Sequence, residues 1–83
     1  MGRTVSTWRD RIERRIATWS GFRRTLRLSD RISFDRLLMS IRSRSSACGM
    51  VPVSDEFEPA LLAALIELDT RLTKVERELS ENG

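Results

Sequence analysis

Apolar residues recur at Trp8, Ile12, Ile16, Trp19, Phe22 and Leu26, in steps of three and four, with mostly charged or hydroxyl residues between them. That period is helical, and nowhere does the chain alternate convincingly as a half-buried strand would. Thr7 stands three residues before Asp10, a capping-box pattern with Asp where Glu or Gln is more usual. Gly21 lies inside the stripe, at a cost of about 1 kcal/mol relative to alanine. The stripe stays in phase across it, so the expectation is one helix over about residues 8–27, straight or bent.

A second apolar face, Phe34, Leu37, Leu38 and Ile41, predicts a helix over about 31–46. Ser29 or Asp30 is its expected N-cap and Gly49 its C-terminal stop. Cys48 continues this face, as a buried thiol that nothing nearby would activate. Ile32 and Met39 fall on the opposite side, a small apolar spot able to meet another subunit. Residues 49–58 read as a connection punctuated by Pro52 and Pro59. Pro59 suits the first turn of a new helix, and Asp55, Glu56 and Glu58 suit its electropositive start.

The third helix is expected over about 59–79. Leu61, Leu65, Leu68, Leu72, Val75 and Leu79 repeat at 4-3-4-3-4 spacing, a heptad seam. With Leu65 at position a, Arg71 falls at g and Glu76 at the following e, where a parallel dimer can pair them across its interface. Leu62 and Ile66 broaden the apolar side early, so that end is also expected to pack against the first two helices. The fold class is therefore all-α, a single domain over 1–83. Two antiparallel amphipathic helices precede a longer one with a coiled-coil-like seam.

Size changes the picture. A chain of 83 residues buries only roughly 60% of the surface it exposes when unfolded, and small domains compensate with disulfides, metals or partner chains. A lone cysteine and no histidine leave no internal disulfide and no zinc site. Oligomerisation remains, so a homodimer is expected through Leu65, Leu68, Leu72, Val75 and Leu79, flanked by Arg71 and Glu76. A packed helix of a monomeric bundle can show the same repeat. The longest apolar run, "ALLAALI" at 60–66, is far short of the ~20 residues a membrane span needs. With a free thiol and no export pattern, the cytoplasm is the expected compartment.

Charge is unevenly placed. Residues 1–46 hold twelve arginines against Asp10, Glu13, Asp30 and Asp35, a balance of +8, whereas residues 47–83 balance at −5. Such asymmetry marks either a surface for nucleic acid or an acidic partner, or two halves that neutralise each other on folding. On a helical wheel the arginines of the first stretch scatter around the cylinder, and Arg15 and Arg23 flank the apolar stripe. The tryptophans lie on the stripe and read as core more than as base-stacking platforms. A helix-turn-helix joined at "LSD", 28–30, would let Arg31, Arg36 and Arg42 reach a groove. Its turn lacks glycine, and its second helix has no Asn or Gln for adenine edges.

Two functions follow. In the first, Arg11, Arg14, Arg23, Arg24, Arg31, Arg36 and Arg42 contact nucleic-acid phosphates without sequence preference. In the second, the chain is a protein-interaction adaptor whose basic half is neutralised by its own third helix or by an acidic partner. A continuous positive field on the folded surface would separate them. Enzymatic chemistry is not expected. Histidine and tyrosine are absent, no glycine-rich phosphate loop occurs, and Glu67 and Asp69 point to different sides of a helix. No cofactor, metal or small-molecule substrate is expected. "RSRSS" at 42–46 could accept phosphate at Ser43, Ser45 or Ser46, or be a solvated helix end.

"MGRT" at 1–4, "TWRD" at 7–10, "FRRTLR" at 22–27, "FDRLL" at 34–38 and "ACG" at 47–49 resemble a family of small, uncharacterised archaeal proteins that begin Met-Gly-Arg-Thr. That family joins an Arg-Arg pair after an aromatic and a Phe-Asp-Arg-Leu block to an Ala-Gly step, an Asp-Pro helix start and a leucine-rich last helix. This chain departs in lacking histidine and tyrosine in the Ala-Gly region and in its basic balance, which loosens any implied salt-loving host. The resemblance implies the helical fold and brings no activity with it.

Overall fold

The computed structural model describes residues 7–52 and 55–82. The "MGRT" opening lies outside the described residues. Thr7 starts the first helix as its pattern predicts: its Oγ1 accepts from the Asp10 amide at 3.1 Å and the Asp10 carboxylate accepts from the Thr7 amide at 3.4 Å. The helix does not run to residue 27. It divides into α1 (Trp8–Ala17) and α2 (Ser20–Arg24), and the break falls at Thr18 and Trp19, ahead of Gly21. The Thr18 hydroxyl donates to the Arg15 carbonyl at 2.6 Å, and the Thr18 and Trp19 amides reach back three residues, to Arg15 and Ile16. This tightened turn swings Trp19 onto Phe34 and Phe57, which it meets edge-on at centroid distances of 6.4 and 6.0 Å.

Helix α3 (Leu28–Ser43) begins earlier than expected, after an extended Arg27 that offers no side-chain cap. Ser29 and Asp30 lie inside its first turn, where the Asp30 charge suits the positive end of the helix dipole. The expected single second helix breaks at Arg44 and resumes as the one-turn α4 (Ser45–Cys48). Gly49 does follow the last turn, but with φ of −69° it is right-handed, so left-handed freedom is not why it stands there. The last helix, α5 (Phe57–Asn82), is longer than expected at both ends. The Asp55 carboxylate accepts from the Phe57 amide at 3.0 Å, which sets the start two residues before Pro59.

Contacts between named residues give the topology. Arg9 reaches Ser45, Glu13 meets Arg42, Trp19 meets Phe34 and Arg23 meets Asp35, so α1 and α2 run antiparallel to α3 and α4. Then α5 turns back along them, with Cys48 beside Pro59 and Arg44 on Glu67. The described residues thus form an all-α fold whose core is Trp8, Ile12, Leu38, Ile41, Cys48, Ala60 and Ala63, with Ile16, Trp19, Phe34 and Ala64 packed around it.

The body-facing side of α5 differs from expectation. Pro59, Ala60 and Ala63 are buried there, while Leu62 and Ile66 are about half exposed. Small side chains let the α5 backbone lie close to its neighbours, and the leucines are left outside. Every residue from Leu72 to Asn82 is exposed. The protein measures 63 × 31 × 15 Å, and its radius of gyration of 15.8 Å exceeds the roughly 12 Å of a compact chain this long.

Candidate functional site

The heptad letters locate the seam. With Leu65 at a, the buried Pro59, Ala60 and Ala63 take positions b, c and f, the outer side of a coiled coil. The a and d residues Leu61, Leu65, Leu68, Leu72, Val75 and Leu79 are 47–67% exposed. The fold therefore does not use the seam for its own core. From Leu61 to Leu79 the stripe is about 27 Å long at 1.5 Å per residue. Its flanking charges are Arg71, whose Nε is 2.6 Å from Glu67 on the same helix, and the exposed Glu76.

The basic half is interrupted by carboxylates. Arg23 grips Asp35 with two bonds of 2.7 Å, and Arg42 grips Glu13 with bonds of 2.6 and 3.0 Å. These hydrogen bonds hold both carboxyls below their ordinary values and raise the two guanidinium groups. Arg11 and Arg15 approach Glu56 at 3.9 and 3.5 Å, and Arg15 also meets Asp55 at 3.5 Å. Glu67 accepts from Arg71 and from Arg44, at 2.6 and 3.0 Å, and both lower its pKa. The acidic connection and α5 thus neutralise part of the basic half, which the scatter of charges along the chain left open.

Of the seven arginines expected to hold phosphates, Arg11, Arg23 and Arg42 are drawn into these pairs, and Arg14 lies exposed on α1. Arg31 donates to the carbonyls of Arg24 and Leu26, closing the end of α2. No ion pair joins Arg24, Arg31 or Arg36 to a described carboxylate, and the same holds for Arg27. Arg24, Arg27 and Arg31 sit together at the α2–α3 corner, and Arg36 is separate on the exposed side of α3 with Ile32 and Met39.

Two features escaped the pattern of residues. Trp19, Phe22, Phe34 and Phe57 line an open aromatic cleft of about 430 Å³, with the Arg15 guanidinium 5.7 Å from the Phe57 ring centroid. Only the placement of Arg15 at the edge of the apolar stripe signalled this junction. An apolar groove of about 180 Å³ runs between Val51 and Ile66, past Cys48, whose thiol is pushed up by burial. Trp8, the deepest tryptophan, donates from Nε1 to the Glu56 carbonyl at 3.0 Å and fastens α1 to the start of α5. Among the described residues no three Cys, Asp or Glu side chains converge as metal ligands would, and no helix is long and apolar enough to cross a membrane.

A family described as Domain of unknown function (DUF8156) matches residues 1–82. No curated protein and no solved structure matches at a significant level.

Proposed function

The chain belongs to the DUF8156 family, and on that premise we propose that it is a non-enzymatic adaptor that self-associates as a homodimer along α5. One observation carries the reading: the apolar seam is the side of α5 that the body does not cover. The small core supports it, because oligomerisation is one of the ways in which domains of this size add to what their own core supplies. The ion pairs that α5 and its approach make with Arg11, Arg15 and Arg44 also favour an adaptor whose basic half is answered from within. A cytoplasmic, archaeal setting belongs to the same proposal, through the free thiol and the resemblance of "FRRTLR", "FDRLL" and "ACG". Sedimentation at micromolar concentration tests it. A dimer that Leu72→Glu converts to a folded monomer is expected, and a monomeric wild type overturns the reading.

A second reading keeps nucleic acid as a partner, narrowed to Arg24 and Arg36, which no ion pair joins to a described carboxylate. Phosphate contacts of this kind give affinity that falls steeply with salt and varies little with sequence. Replacing Arg24 and Arg36 should weaken duplex binding uniformly, and absence of binding at low salt removes this reading.

A further inference from the structure

The flanks of the seam carry more information than the seam itself. Under the heptad assignment the g positions are Phe57, Ala64, Arg71 and Glu78, and the e positions are Leu62, Asp69 and Glu76. In a parallel, in-register pair each g residue faces the e residue five positions on in the other chain. Phe57 then meets Leu62, Ala64 meets Asp69, and Arg71 meets Glu76. Two-fold symmetry makes every contact twice, and none sets like charges together.

The antiparallel alternative fails on the same residues. Full overlap of the seam would lay Leu61 against Leu79 of the partner subunit and centre the pair on residue 70. That brings e against e and g against g. Asp69 then faces Asp69 of the partner subunit, Arg71 faces Arg71 of the partner subunit, and Leu62 faces a glutamate. Like charges directly across an interface oppose association, so the flanks select one orientation.

The fold adds the decisive detail. Phe57 is not an isolated flank residue: it forms one wall of the aromatic cleft, edge-on to Trp19, and is 39% exposed. Leu62 is half exposed on its own subunit, one turn further along α5 and with no core role. The body packs on positions b, c and f of α5, so it stands clear of the a/d side and leaves the seam open along its whole length. Glu58, the a residue one heptad before Leu65, ends the apolar layers at the helix start.

We propose that two copies of α5 pack parallel and in register, closed by reciprocal Arg71–Glu76 pairs, with Leu62 of each copy seated against Phe57 at the rim of the other's aromatic cleft. The cleft is then a composite of two subunits. This rests on the self-association reading above, and the experiment separates the two.

Leu61→Cys and Leu79→Cys variants are oxidised separately and as a mixture, in the full chain, with Cys48 left in place because it is buried. Parallel packing sets each engineered thiol opposite its own copy. Disulfide-linked 61–61 and 79–79 dimers are therefore expected, with no 61–79 product, since those layers lie about 27 Å apart along the helix. A 61–79 product overturns the orientation while leaving self-association standing. A dimer by sedimentation that forms neither homodisulfide also overturns it. A monomer by sedimentation removes the self-association reading itself. Leu62→Glu tests the rim contact: a dissociation constant raised at least tenfold, with helicity unchanged at concentrations that saturate the dimer, is expected, and an unchanged constant removes the Phe57–Leu62 seat.

Discussion

Helices α1 and α5 are both amphipathic, and each has an unbroken apolar stripe, yet they use it in opposite ways. In α1 the stripe is the core: Ile12 is fully buried and Trp8 nearly so. In α5 the stripe faces outward and the core is met by a proline and two alanines. Periodicity reports which residues share a face. It does not report what covers that face. The difference lies in the opposite sides of the two helices. Arginines and two acids ring the rest of α1, so only one side can be buried, whereas α5 offers a second, small-residue side on which a body can settle.

The largest expected effect separates the two stripes by what each one holds. Ile12→Ala removes a fully buried side chain and should cost about 2–5 kcal/mol of folding stability. Urea denaturation at two protein concentrations reads this, because a subunit-core defect lowers both curves alike, whereas a lost interface alters the concentration dependence. Leu72→Glu, on the exposed stripe, should leave the subunit folded and raise the dissociation constant at least tenfold, about 1.4 kcal/mol or more. Similar stability losses for the two variants, both independent of concentration, would erase the contrast between the helices.

An acid titration sharpens the comparison next. Glu13, Asp35 and Glu67 are held below their ordinary values by arginine hydrogen bonds, from Arg42, from Arg23, and from Arg71 with Arg44. Carboxyls with a lowered folded pKa contribute stability that is fully present above the unfolded value. That contribution fades as pH falls through the folded one. Stability should thus decline in acid, beginning near the ordinary glutamate value of 4.5 and continuing below it. Glu13→Gln should flatten the part due to the α1–α3 pair, which thermal melts between pH 3 and 6 would check.

The smallest effect concerns the break between α1 and α2. Gly21 has no positive φ, and an added Cβ would meet only the tip of Arg24 at 3.8 Å. Gly21→Ala should therefore stabilise the fold by about 0.4–1 kcal/mol. A destabilised melt would place the hinge at Gly21 after all.

Much of this architecture was legible in the chain. The Thr7–Asp10 cap, the core roles of Trp8, Ile12, Leu38, Ile41 and Cys48, and the outward placement of Ile32 and Met39 all follow from local chemistry and helical spacing. The break at Thr18 was not legible, because it depends on Trp19 finding Phe34 and Phe57 from distant segments. The same holds for the phosphate-site arginines. Whether Arg23 or Arg42 faces water is decided by Asp35 and Glu13, which only folding brings opposite them. That α5 packs on the first helices was expected, but the face it uses was hidden. Alanines carry no outward sign of a docking face, and the eye follows leucines.

The exposed run from Leu72 to Asn82 has a consequence for how the protein orders itself. These eleven residues are exposed throughout and continue the 26-residue α5, so the packed part of the helix supplies their nucleus and little burial holds their own turns. In a separated subunit this stretch should fray, its amides exchanging with solvent at nearly the rate of open chain. Joined to a second copy, it gains the contacts that make winding favourable. Association and coil-to-helix ordering then become one transition, and the far-ultraviolet ellipticity should deepen on concentrating the sample.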